Sequence, residues 1–96
     1  MSKKVLNYTH FVKNSYEKLR KINTKLKKFN INIKIKGNKS SIDSVDTVTF
    51  FSILEDNLKK NDLKNPEFLN ENFFFKLNDI SLKNVVDIIK KKNHNK

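Results

Sequence analysis

Between Tyr8 and Phe29 the apolar residues Val12, Tyr16, Leu19, Ile22, Leu26 and Phe29 recur at steps of four, three, three, four and three. That is the spacing of one face of an α-helix, so a helix is expected here, with Thr9 as its N-cap. The period then changes to two: Phe29, Ile31, Ile33 and Ile35 alternate with Asn30, Asn32, Lys34 and Lys36 before Gly37. Such alternation predicts a strand with one buried and one polar face. Gly37 to Ser41 reads as a turn, with Gly37 at a positive φ or a close backbone approach.

From Ile42 to Lys60 the positions Val45, Val48, Phe51, Leu54 and Leu58 predict a second helix capped by Ser41 or Asp43. The β-branched run Val45 to Phe50 competes as a strand start. Asn61 to Asn70, which holds the single proline, Pro66, is expected to be a loop with a helical turn at Pro66 to Leu69. Asn72 to Leu77, apolar on both faces through Phe73, Phe74 and Phe75, is a candidate second strand. Asp79 or Ser81 then caps a last helix with Leu82, Val85, Val86 and Ile89 inward, running out into a basic tail at 90–96. A short strand at Lys3 to Asn7 is also compatible. The expected architecture is α/β: one domain, residues 1–96, forming a small two-layer sandwich in the order helix, strand, helix, strand, helix.

Ninety-six residues support one core. The 36% hydrophobic content is low for a globular chain, but eight phenylalanines supply bulk. With no cysteine there are no disulfides or thiolate metal sites, and the two histidines, His10 and His94, are far apart in sequence, so neither metal nor cofactor is expected. No apolar run approaches the roughly 20 residues of a membrane helix. The start, Met-Ser-Lys-Lys-Val-Leu-Asn, lacks the apolar segment of a signal peptide, which points to an intracellular location. Abundant lysine, asparagine, isoleucine and phenylalanine, with Arg20 the single arginine, suits an AT-rich genome, and hence a mitochondrial or other organellar matrix or else the cytoplasm.

The net charge of +11 changes the picture because it is unevenly placed. Residues 1–42 carry twelve Lys/Arg against one acid, Glu17, and account for all of it, whereas the rest balances nine acids with nine lysines. A solvated surface explains any one lysine, but the asymmetry favours a face that binds a polyanion. Three surfaces are candidates. One is the outer side of the first helix, with Lys13, Lys18, Arg20, Lys21, Lys25, Lys27 and Lys28. The second is the Asn30, Asn32, Lys34 and Lys36 side of the strand, and the third is the turn Gly37, Asn38, Lys39 and Ser40. Lysines contact phosphates without reading bases, so binding is expected to follow shape and charge. No convergent set of titratable groups suggests an enzyme or a small-molecule substrate. Thr9-His10 at a helix start is a phosphoacceptor candidate by position, but a solvated histidine is the favoured reading.

A helix of about twenty residues leading into a strand that ends Lys36-Gly37, then a short polar turn and a second helix, resembles the C-terminal half of the bacterial-type small-subunit ribosomal protein eleven over Tyr8 to Leu58. The resemblance implies that Lys36, Gly37, Asn38, Lys39 and Ser40 lie at ribosomal RNA, and that Lys90, Lys91 and Lys92 belong to an RNA-threading tail. The family's N-terminal strands have no counterpart, and its Gly/Pro-rich turn is replaced by Asn38-Lys39-Ser40-Ser41. The expected function is therefore an RNA-binding structural component of a ribonucleoprotein, a ribosomal protein of an AT-rich organelle, with rRNA and neighbouring subunits as partners. The alternatives are a protein-interaction module using Phe73 to Phe75, and a non-specific DNA-binding protein.

Overall fold

The computed structural model describes residues 8–37, 42–70 and 79–94. Among them lie α1 (Tyr8–Ile22), β1 (Lys34–Lys36), α2 (Ser44–Lys60), β2 (Ile80–Ser81) and α3 (Leu82–His94). The class is mixed α/β, with three helices and one two-stranded antiparallel sheet among the described residues. The expected strands at Lys3 to Asn7 and Asn72 to Leu77, including Phe73 to Phe75, lie outside the described residues, as do Asn38, Lys39 and Ser40.

α1 buries Tyr8, Val12, Ser15, Tyr16 and Leu19. Ser15 is tolerated inside because its hydroxyl donates to the Phe11 carbonyl (2.8 Å) and accepts from Asn57 Nδ2 (3.3 Å). The helix stops seven residues short of the expected Phe29. Asn23 breaks the pattern: its Oδ1 accepts from the Lys25 amide (3.1 Å) and its Nδ2 donates to Asp46 Oδ2 (2.8 Å), so the side chain serves a turn and a tertiary link at once. Ile22 is left 66% exposed, while Leu26 and Phe29 still pack on the core from the following loop.

The long strand expected at Phe29 to Ile35 also shortens. Asn30 Oδ1 accepts from the Asn32 amide (2.8 Å) and the Asn30 carbonyl from the Ile33 amide (3.0 Å), which closes a turn across half of the alternating segment. β1 pairs with only two residues of β2, Lys34 opposite Ser81 and Lys36 opposite Ile80. The ladder is continued from α3, whose first amides reach back: Leu82 N–H donates to the Ile33 carbonyl and Lys83 N–H to that of Ile31, both at 2.8 Å. Ile35 is fully buried, and Gly37 adopts φ 134°, a conformation that favours glycine.

α2 is capped by Asp43, whose carboxylate accepts from the Asp46 amide at 2.9 Å. Its inward face is turned from the expected one: Thr47, Phe50, Phe51, Leu54 and Leu58 are buried, whereas Val45 and Val48 are 71% and 43% exposed. The cause is Thr47, whose hydroxyl donates to the Ile35 carbonyl at 2.6 Å and fixes that side of the helix against β1. Leu58 and Lys59 carbonyls close the C-terminus by accepting from Leu63 and Asp62, with Asp62 at φ 56° in the place usually held by glycine. In the loop that follows, a turn closed by the Asn70 amide on the Glu67 carbonyl buries Phe68, which stacks on Phe51 with ring centroids 4.7 Å apart.

Ser81, not Asp79, caps α3. Its hydroxyl accepts from the Asn84 amide (3.3 Å) while Asn84 Oδ1 accepts from the Ser81 amide (3.0 Å), a reciprocal capping box. Leu82, Val85 and Ile89 are buried as expected and Val86 is partly so. The helix continues to His94, so Lys90, Lys91 and Lys92 are helical rather than part of a tail.

Two links fix how the helices run. Asn23 joins the end of α1 to the start of α2, and Asn57 near the end of α2 reaches Ser15, so α1 and α2 are antiparallel. α2 and α3 both begin at the sheet. α3 ends beside Lys64, where Asn93 accepts from the Lys64 amide (2.8 Å) and donates to its carbonyl (3.2 Å).

Candidate nucleic-acid interface

The helical spacing of α1 puts its buried residues on one side and His10, Lys13, Asn14, Glu17, Lys18 and Lys21 on the other, where they line a shallow depression of about 360 Å3. Lys13, Lys18 and Lys21 are exposed, and none of the three forms an ion pair among the described residues. Glu17, the one acid of this surface, is taken by Arg20 Nη1 at 3.0 Å. Arg20 Nε is buried without a hydrogen-bond partner.

A second depression, about 430 Å3, is lined by Lys27, Lys28, Asn30, Asn32 and Ile33. The backbone under it is held from several sides. The Tyr16 hydroxyl donates to the Lys27 carbonyl at 2.7 Å, the Tyr16 and Phe29 rings meet edge to face at 6.0 Å, and α3 amides hold Ile31 and Ile33. Burial pushes the Tyr16 hydroxyl above its ordinary pKa of 10.0, with Arg20 opposing the rise and Glu17 adding to it. Below that value it stays a neutral donor to Lys27. Arg20 lies one helical turn beyond Tyr16 and is bonded to Glu17, a residue of the first depression.

The other sequence candidates fare differently. Lys25 is exposed in the loop after α1 and makes no side-chain bond among the described residues. Lys34 Nζ is held by both Asp79 oxygens (2.8 and 2.9 Å), a bridge that fastens β1 to the residue before β2 and already gives the Lys34 charge a partner inside the fold. Lys36 and Gly37 are partly buried at the end of β1. Lys90, Lys91 and Lys92 are exposed near the C-terminal end of α3, about 12–15 Å along the helix from its start at the sheet, and line neither of these two depressions. Lysines in a last helical turn also suit the helix dipole.

Two features escaped the sequence pattern. Asn30 and Asn32 belong to a turn beside Lys27 and Lys28, not to a strand beside Lys34 and Lys36. Lys83 comes next to this turn because its backbone N–H bonds Ile31. No local signal announces that contact, since it joins residues 52 positions apart. Among the described residues no group of acids and histidines is arranged to hold a metal ion, and no helix is long and apolar enough to cross a membrane. No protein-family model, curated protein or solved structure matches this chain.

Proposed function

We propose that this protein binds RNA as a structural component of a ribonucleoprotein, lying along phosphate groups with α1 and the loop that follows it. The observation that carries the reading is that Lys13, Lys18, Lys21, Lys25, Lys27 and Lys28 are all exposed and make no ion pair or side-chain hydrogen bond among the described residues. Clustered cations repel one another and destabilise a compact fold, so a surface that keeps them without internal partners suits an external polyanion. Each phosphate neutralised releases condensed counterions, and that release drives association.

The setting proposed is a ribosome of an AT-rich organelle, in keeping with the residue usage and with the resemblance of Tyr8 to Leu58 to ribosomal protein eleven. Lysines on a pinned surface would fill gaps between rRNA helices and hold them at a fixed distance, with no covalent chemistry. Sedimentation of a native lysate tests this: the protein should travel with ribosomal particles at low salt and leave them in high salt. A protein that stays in the soluble fraction at all salt concentrations contradicts the proposal.

A further inference from the structure

The turn that carries Asn30 and Asn32 offers chemistry that lysines alone do not. Asn30 Oδ1 is committed to the Asn32 amide, which leaves the Asn30 NH2 group as a donor. The Asn32 side chain is exposed and makes no hydrogen bond among the described residues, so both its oxygen and its nitrogen remain available. Beside them stand the exposed ammonium groups of Lys27 and Lys28, in the same depression.

A phosphodiester needs a cation, and a ribose 2′-hydroxyl needs a neighbour able both to donate and to accept. Lys27 and Lys28 supply the first requirement and Asn32 the second, with Asn30 adding a donor. The set is also preorganised. Tyr16 holds the Lys27 carbonyl, Asn30 closes the turn through two bonds, and the start of α3 holds the carbonyls of Ile31 and Ile33. Little backbone entropy is then lost when a ligand is bound, unlike at a lysine-rich tail.

We propose that the Lys27, Lys28, Asn30 and Asn32 turn is a sugar-phosphate site that discriminates RNA from DNA, with Asn32 bonding the 2′-hydroxyl. This deepens the RNA-binding reading and rests on it. One hydrogen bond to a 2′-hydroxyl sets the scale at roughly three- to tenfold.

The test uses the full chain with two duplexes of identical base sequence, one RNA and one DNA, at fixed salt. Wild type should bind the RNA duplex roughly three- to tenfold tighter. Asn32→Ala should bring the two affinities together by weakening RNA binding alone, and Lys27→Ala with Lys28→Ala should weaken both duplexes while keeping their ratio. Circular dichroism of each variant confirms an unchanged fold, which is expected because all three side chains are exposed. Equal affinity of wild type for the two duplexes, or an RNA preference that survives Asn32→Ala, overturns the inference and leaves RNA binding standing. Failure to bind either duplex removes both.

Discussion

After Ile42 the acids work for the fold: Asp43 caps α2, Asp46 ties it to Asn23, Glu55 accepts from the Leu69 amide at 3.2 Å, and Asp79 holds Lys34. Before β1, Lys13, Lys18, Lys21, Lys25, Lys27 and Lys28 have no comparable task among the described residues. The two regions share a core, since α1 and α2 interlock through Ser15, Asn57, Asn23 and Asp46. What separates them is what their surfaces are for. A charge with a bonded partner can be explained from inside the molecule, whereas a cluster of like charges with none asks for something outside it. The lysines that end α2 and α3 fall on the explained side, because a helix C-terminus attracts cations.

The comparison breaks if the α2 side turns out to be dispensable for stability or the α1 side indispensable. The largest effect is expected for Phe51→Ala. Its ring is fully buried between Phe50 and Phe68, and its removal should cost about 3–5 kcal/mol in urea unfolding. Next comes Thr47→Val, which leaves the Ile35 carbonyl without its 2.6 Å donor and should cost about 1–3 kcal/mol. Reversing Lys27 and Lys28 to Glu should shift unfolding by no more than about 0.5 kcal/mol. The same double variant should make the salt dependence of RNA binding shallower by about two in log–log slope. The smallest effect has the opposite sign: Asp62→Gly relieves a φ of 56° at the end of α2 and should stabilise the protein by roughly 0.5–1 kcal/mol, read as a higher melting temperature.

The sequence made the helices legible because periodicity reports burial along one element. Leu54, Leu58, Leu82, Val85 and Ile89 all point inward as their spacing requires. It failed where one polar contact outweighed the pattern. Thr47 is polar and its neighbours Val45 and Val48 are not, yet the Ile35 carbonyl needed a donor and so drew Thr47 inside. Asn23 and Asn30 failed in the same way: an asparagine that bonds the backbone two residues on is invisible to a hydrophobic pattern, and here it ends a helix and halves a strand. At the candidate interface the residue types were legible and their grouping was not. Charge counting found Lys27 and Lys28, but their placement beside Asn30 and Asn32 depends on Tyr16 and α3, which reach them from elsewhere in the chain.

The most direct measurement is the association constant for an RNA duplex titrated with KCl from about 50 to 200 mM. Each phosphate engaged contributes close to −0.9 to the slope of log K against log salt, so the six lysines without partners among the described residues predict a slope of roughly −5. A slope near zero would mean that these cations do not meet phosphates, and the account of this surface would then be wrong.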